Sequence, residues 1–296
     1  MPDPSTAAAS AAASAADAAA DVAAVFVDLR EEGRELDSLV AELSEPDWAR
    51  PTPAPRWSVA HQIAHLHWTD RAALLSLTDT AGFAGMVEEA LKAPDSFVDE
   101  GAEQGAKLPP AELLARWRAG RAALDEALAA ASPDTRFPWY GPPMKAASMA
   151  SARLMETWAH GQDVADALGV RRTPTARLRH VARIGVRARD YAYAVRGLPV
   201  PEGEFRVELT APDGSERWEY GPPEAPQRIT GPALDFCLLV TQRAHRADLA
   251  LTATGPDADR WLDIAQAFAG PAGPGREPEA GQSREPGAGP GAESSR

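Results

Sequence analysis

The chain has 296 residues, a formal net charge of −13 and an isoelectric point near 5.0. A surface of that charge repels nucleic acids and anionic lipids, so the composition excludes a general nucleic-acid-binding protein. The sequence contains no run of about 18 apolar residues that would predict a membrane span, and its single cysteine excludes an internal disulfide and fits a reducing cytoplasm.

Both ends of the chain have biased compositions. Residues 1–20 are almost all small, and their charged residues, Asp3 and Asp17, are acidic. A secretory signal needs basic and bulky apolar residues, so we interpret this stretch as a low-complexity N-terminal extension. Residues 270–296 are rich in Gly, Pro, Ser and Glu without apolar periodicity, which predicts a disordered tail.

Apolar residues recur at helical spacing through residues 21–197. The first predicted helix begins near residue 23 and ends before EPDWARPTPAPRW, which contains four prolines. Ser58 is the predicted N-cap of a helix over 59–78. Further helices are predicted over 83–93, 108–132 and 146–168, where Gly169 ends the helix, and from Thr173 onward. Four long helices joined by loops predict a helical bundle.

Residues 198–269 have a different pattern and predict a small α+β domain. FRVELTAPDGSERWEYG contains two alternating runs separated by a turn, which predicts a β-hairpin. GPALDFCLLVTQRA predicts a short buried helix, DLALTATG a strand, and PDADRWLDIAQAFAG a final amphipathic helix. The predicted fold class is therefore mostly α, with a helical bundle followed by a small α+β domain.

The helix predicted over 146–168 carries ligand-type residues on one face. Glu156 and His160 are four residues apart, so they project from nearly the same side, and Asp163 lies three residues further on. Such a pair offers one carboxylate and one imidazole to a divalent ion, with a third ligand from a facing helix. The competing interpretation is a solvated Glu–His pair.

The helix predicted over 59–78 supplies candidates for the third ligand. It carries His61, His65 and His67, which are three of the six histidines in the chain. His61 and His65 are also four residues apart, so spacing alone leaves both of them open as the partner of Glu156 and His160.

Two segments resemble a known family. DWARPTPAPRWSVAHQIAHL resembles the W-(S/T)-V-x-x-x-x-A-H-L signature of the DinB-like, mycothiol-dependent maleylpyruvate isomerase superfamily, and LMETWAHGQDVADALG resembles its E-x-x-x-H-x-x-D helix. GPALDFCLLVTQRA is similar to the C-terminal domain of these isomerases, so the resemblance spans residues 25–268. It implies a DinB-like four-helix bundle.

The resemblance also implies a ligand set. It implies a divalent ion, most often zinc, held by His65, Glu156 and His160. His61 and Asp163 are then expected beside the ligands and not on the metal, and Asp163 could orient an imidazole or hold an arginine. Trp139 and Tyr140, in the FPWYGPP loop, are candidates for the mouth of the pocket.

Three protein ligands leave an open position for a thiol or water, whose pKa the ion would lower. The resemblance implies mycothiol as the thiol and a small unsaturated dicarboxylate as the second reactant. It also implies a catalytic arginine, Arg243, although Gln242 replaces the glycine that precedes the arginine in the family. Cys237 has no nearby histidine to activate it, so a reacting thiol has to come from outside the chain.

The sequence thus predicts a cytoplasmic, divalent-metal-binding enzyme that acts by thiol or water on a small molecule, through isomerisation, addition or transfer. Its expected partners are a small-molecule substrate and a low-molecular-weight thiol, with neither nucleic acid nor membrane. Two alternatives remain open: a metal-containing binding or regulatory module without catalysis, and a structural helical protein with coincidental ligand-type residues.

Overall fold

The computed structural model describes residues 24–94 and 96–279. The predicted N-terminal extension, residues 1–20, lies outside the described residues, as do residues 280–296 of the predicted tail. The chain divides into two compact units, Met1–Ile184 and Gly185–Arg296. No helix in the described ranges is long and apolar enough to cross a membrane.

Helices form the first unit, together with one small hairpin. The first helix, α1, covers residues 24–40. The following elements are α2 (Glu45–Trp48), α3 (Val59–Thr78), α4 (Thr80–Lys92), α5 (Phe97–Ala106), α6 (Pro110–Ala130), the antiparallel strands β1 (Arg136–Phe137) and β2 (Met144–Lys145), and α7 (Ala146–Leu168). The division between the two units falls within α8 (Leu178–Arg187).

Helices α3 and α7, which carry the ligand-type residues, begin and end where the sequence predicts. Helix α3 follows directly after Ser58, the predicted N-cap. Helix α7 ends at Gly169, whose φ of 68° is the left-handed conformation that ends helices and that glycine adopts without a steric penalty. The structure confirms both predicted helix ends. Each depends on only a few neighbouring residues, so the local sequence is enough to predict it.

The core of the first unit lies among four long helices, which confirms the predicted bundle. Each buried Leu or Ile side chain contributes about 1.5–3 kcal/mol relative to exposure. The central cluster includes Leu36 and Val40 of α1, Ile63 and Leu66 of α3, Leu113 and Trp117 of α6, and Val164 of α7.

Helix α5 was not predicted, because Gly101 and Gly105 lower its intrinsic helix propensity. The same glycines let α5 pack closely on α3. A Cβ at Gly105 would lie 2.7 Å from the Cβ of Ala64, and a Cβ at Gly101 would lie 3.3 Å from the ring of Trp68. Tertiary packing therefore stabilises a helix that the local sequence disfavours.

The second unit contains α9 (Arg189–Ala194) and a four-stranded sheet in the order β4–β3–β5–β6. The predicted hairpin is confirmed: β3 (Phe205–Thr210) and β4 (Arg217–Tyr220) pair antiparallel. Strand β5 (Gln227–Pro232) pairs parallel with β3 and was missed, because QRITGP ends in Gly-Pro. The remaining elements, all predicted, are α10 (Ala233–Val240), β6 (Thr252–Thr254) and α11 (Pro256–Ile264).

Residues 270–279, the described part of the predicted tail, contain neither helix nor strand. Gly270 nevertheless forms two hydrogen bonds with Tyr191 of α9. Its carbonyl accepts from the Tyr191 hydroxyl at 2.6 Å, and its N–H donates to the same hydroxyl at 2.8 Å. The disorder of the tail stays a prediction.

A buried ion pair joins α3 to α7. The Arg153 guanidinium donates to the Asp70 carboxylate at 2.9 Å and to the Thr69 hydroxyl at 2.6 Å, and both charged side chains are at most 4% exposed. Removing one partner of a buried pair leaves the other charge without compensation, which costs more than an exposed pair contributes.

We expect Asp70→Ala to lower the free energy of unfolding by about 3–5 kcal/mol, measured by urea titration, because the Arg153 guanidinium stays buried without its carboxylate. Arg116→Ala is the control, since Arg116 forms an exposed pair with Glu112 and its loss costs at most about 1 kcal/mol. Equal effects of the two substitutions would show that the buried pair does not hold α3 against α7.

Candidate metal centre

Three ligand-type side chains converge between α3 and α7. His65 Nε2 lies 3.2 Å from Glu156 Oε2, and His160 Nε2 lies 3.3 Å from the same oxygen. The two imidazole rings are 4.5 Å apart between centroids, and the candidate ligand atoms all lie within 4.8 Å of one another. Helix periodicity brings Glu156 and His160 together, and the packing of α3 on α7 adds His65.

The site is enclosed but reachable. The side chains of His65, His160 and Glu156 are 9%, 12% and 22% exposed. Burial by itself raises the pKa of the Glu156 carboxyl, but hydrogen bonds from His160 and His65 outweigh it and hold that pKa well below its usual range. An ionised carboxylate between two imidazoles is a donor set that suits a divalent cation.

His61 is directed away from this cluster. Its Nδ1 accepts from the backbone N–H of Ser58 at 3.2 Å and lies 2.8 Å from the Ser58 hydroxyl, which stabilises the start of α3. Its Nε2 lies 2.9 Å from the Glu103 carboxylate of α5. Both ring nitrogens are therefore engaged elsewhere, which resolves the ambiguity between His61 and His65 that helix spacing left.

His67 lies beside α6, where a Cβ on Gly120 would be 3.5 Å from its Nδ1. Burial lowers the pKa of His67. Asp163 lies on α7 one turn beyond His160 and is 1% exposed. The convergent ligand group contains neither residue, and the suggestion that Asp163 orients a ligand stays a prediction.

Arg243 belongs to the second unit, just after α10. Its guanidinium donates to the Thr241 carbonyl at 2.6 Å. Gln242 before it has a φ of 59°, a left-handed conformation that glycine adopts most easily. The glycine that the resemblance implies at this position would adopt that conformation without strain, and the catalytic role of Arg243 stays a prediction.

Trp57 lies against both candidate histidine ligands. Its ring centroid is 5.2 Å from that of His65 and 5.8 Å from that of His160, and it is nearly parallel to the His160 ring, at 20°. The indole N–H donates to the Asp99 carboxylate of α5 at 3.0 Å. An aromatic ring held in this way shields one side of the histidine pair from solvent.

A second aromatic group also lies near His65. Trp68 is 6.3 Å from the His65 ring, and Tyr140 stacks on Trp68 at 6.3 Å. Tyr140 is therefore one aromatic ring removed from a ligand, whereas Trp139 stacks on Phe83. The expectation that Trp139 and Tyr140 form the mouth of the pocket stays a prediction.

Gln62 is the polar residue that sequence reasoning missed. Its side-chain oxygen lies 2.5 Å from His160 Nδ1, on the edge of the ring opposite Glu156. Its position three residues before His65, on the same face of α3, was the available signal. An amide is seldom a direct zinc ligand, so a search for ligand types passes over it.

Comparison with known families matches both units. A family model described as the mycothiol maleylpyruvate isomerase N-terminal domain matches residues 29–165, and one described as wyosine base formation matches residues 201–254. Two proteins of Mycobacterium tuberculosis, from strains CDC 1551 / Oshkosh and ATCC 25618 / H37Rv, carry the name uncharacterized protein. Each is 57% identical over 249 residues, covering 84% of this chain and 96% of its own.

Solved structures show the same fold. The crystal structure of the mycothiol-dependent maleylpyruvate isomerase is similar with a TM-score of 0.55, and that of a histidine-to-alanine mutant with 0.54. Each is 17% identical and covers 80% of this chain and 95% of its own. At 17% identity this similarity establishes the fold of the chain and not its reaction.

Proposed function

Because the chain belongs to the DinB-like superfamily of the mycothiol-dependent maleylpyruvate isomerases, we propose that it is a divalent-metal enzyme that uses a low-molecular-weight thiol. Its reaction class is isomerisation, addition or transfer on a small molecule, with mycothiol as the thiol. The observation that carries the proposal is the convergence of His65, Glu156 and His160, whose candidate ligand atoms all lie within 4.8 Å of one another.

The residues fit a bound zinc ion. Two imidazole nitrogens and one carboxylate oxygen are common zinc ligands, and three protein ligands leave a position open, as in catalytic sites. His160 has its other nitrogen against Gln62, which is the arrangement that orients a histidine ligand. An ion held here would lower the pKa of a thiol or water in the open position, so that the anion exists near neutral pH.

The chain's own cysteine supports an external thiol. Cys237, the one cysteine of the sequence, is fully buried in α10 of the second unit. A buried thiol in apolar surroundings is a poor nucleophile. A reacting thiol would therefore come from a small molecule, and the rings of Trp57 and Trp68 would offer it apolar contacts beside His65.

We propose Arg243 as the residue that recognises the second reactant. A guanidinium binds carboxylates in a bidentate manner, which suits the small unsaturated dicarboxylate implied by the name of the related enzyme. The left-handed backbone at Gln242 supports this assignment, since it is the conformation that the glycine implied by the resemblance would adopt most easily.

We expect the wild-type chain to bind one zinc ion, measured by elemental analysis and titration. Zinc at 100 times its dissociation constant should raise the free energy of unfolding by about 2.7 kcal/mol. His65→Ala should abolish both effects, because it removes one of the three ligands. His61→Ala is the matched control from the same helix and should keep both, since His61 contacts Ser58 and Glu103.

A wild-type chain that binds no zinc, cobalt or manganese on titration would contradict the metal site. Loss of zinc in His61→Ala with retention in His65→Ala would contradict the ligand assignment. Unchanged metal content in both variants would instead favour a structural protein with coincidental ligand-type residues.

We expect Arg243→Ala to reduce turnover at least about 100-fold while zinc content stays intact, because its guanidinium would stabilise negative charge in the reaction. Turnover is measured with mycothiol and a panel of unsaturated dicarboxylates that includes maleylpyruvate. Arg246→Ala is the control, since Arg246 is paired with Asp259 and Asp263. A zinc-loaded wild type without turnover on any thiol and electrophile pair would indicate a binding or regulatory module.

A further inference from the structure

We infer that Thr52 and Gln62 are positioning residues that hold His160 with a proton on Nδ1 and with Nε2 as the nitrogen directed toward Glu156 and a bound ion. This inference rests on the proposed metal site. Neither Thr52 nor Gln62 belongs to the candidate ligand group, and both lie on a different segment of the chain from His160.

Three hydrogen bonds connect the proline-rich loop before α3 to His160. The Thr52 hydroxyl lies 2.8 Å from the backbone carbonyl of Trp57. The Gln62 side-chain nitrogen lies 2.8 Å from the Thr52 hydroxyl oxygen, and the Gln62 side-chain oxygen lies 2.5 Å from His160 Nδ1. Carbonyl, hydroxyl, amide and imidazole thus form a continuous chain.

The chemistry of each group gives the chain one direction. A backbone carbonyl can only accept, so the Thr52 hydroxyl donates its single proton to Trp57. That hydroxyl must then accept from the Gln62 amide nitrogen, which turns the Gln62 oxygen toward His160. A carbonyl oxygen accepts, so His160 Nδ1 carries a proton, and Nε2, which lies 3.3 Å from Glu156 Oε2, is the nitrogen that would bind an ion.

The reverse direction breaks the first bond of the chain. If the Gln62 amide were turned over, its nitrogen would face His160 and the Thr52 hydroxyl would have to donate to Gln62. The bond from that hydroxyl to the Trp57 carbonyl would then be lost, and His160 Nδ1 would accept a proton instead of donating one. The observed contacts therefore favour a His160 that donates from Nδ1 to Gln62 and directs Nε2 toward Glu156.

The loop itself is held rigidly enough to impose this direction. The Trp57 carbonyl also accepts from the backbone N–H of Thr52 at 2.8 Å, and Pro51 and Ser58 form a β-bridge. Arg56 turns the chain with a φ of 68°. The Trp57 ring then packs on the face of His160, so one loop contacts the ring face and orients the Gln62 that contacts its edge.

His65 provides a contrast within the same site. Its Nδ1 is buried and has no hydrogen-bond partner among the described residues. Its ring instead lies between Trp57 and Trp68, at centroid distances of 5.2 and 6.3 Å. One histidine is oriented by a directed hydrogen-bond chain and the other by packing, so loss of Thr52 or Gln62 should act through His160.

The first test is zinc affinity of the full chain, measured by competition with a chromophoric chelator. Gln62→Leu should weaken binding about 10–100-fold, as loss of the residue that orients a histidine ligand does. Thr52→Val should weaken it about three- to tenfold, the effect of one neutral hydrogen bond. Thr52→Ser keeps the hydroxyl and Gln62→Glu keeps an acceptor, so both should bind zinc at least nearly as tightly as the wild type.

Thr78→Val is the control for the loss of a threonine hydroxyl. Thr78 lies at the end of α3, the helix that carries Gln62, and its hydroxyl donates to the Leu74 carbonyl. Its zinc affinity should equal that of the wild type. Wild-type zinc affinity in both Thr52→Val and Gln62→Leu would overturn the inference, even though the metal site itself would stand.

The second test is nitrogen-15 NMR of the metal-free chain. Nδ1 of His160 should carry a proton in the wild type and in Thr52→Ser, and should lose it in Gln62→Leu, where the proton would lie on Nε2 toward Glu156. A wild-type His160 without a proton on Nδ1 would overturn the inference. If the wild type binds no metal, the proposed function fails, and this measurement still decides the role of Thr52 and Gln62.

Discussion

The packing of α3 against α7 is the constraint on which the site depends. It brings His65 to 3.2 Å from Glu156, and the buried pair of Arg153 and Asp70 joins the same two helices. Arg153 lies three residues before Glu156, so the helix that carries two of the candidate ligands is fixed about one turn away from them. Because a buried charge is costly without its partner, this pair opposes any shift of one helix along the other.

The electrostatics of the site follow from that packing. Two imidazole nitrogens lie beside one carboxylate in a position where burial alone would raise the pKa of the carboxyl, and hydrogen bonds from His160 and His65 keep the pKa of Glu156 low. The result is an anion beside two imidazole nitrogens, with the rings of Trp57 and Trp68 packed near that of His65. Such a donor set is suited to binding a divalent cation, and the family to which the chain belongs gives that arrangement a chemical context.

The residues that complete the site come from segments whose structure is not evident from the sequence. The proline-rich loop supplies Thr52 and Trp57, and α5 supplies Asp99 for the indole N–H of Trp57. Helix α5 forms because Gly101 and Gly105 permit close contact with α3, despite their low helix propensity. Strand β5 was missed for a related reason: it is stabilised by its neighbours β3 and β6, which a local pattern does not include.

The sequence by itself determined the features that depend on short-range chemistry. Ser58 and Gly169 mark helix ends, and the spacing of Glu156 and His160 places both on one face, because caps and helical periodicity involve residues within a few positions. Only the tertiary structure decided between His61 and His65, since contacts with Ser58 and Glu103 direct His61 elsewhere. It also revealed Gln62 against His160, because a contact between residues far apart in the chain exists only once α3 and α7 have packed.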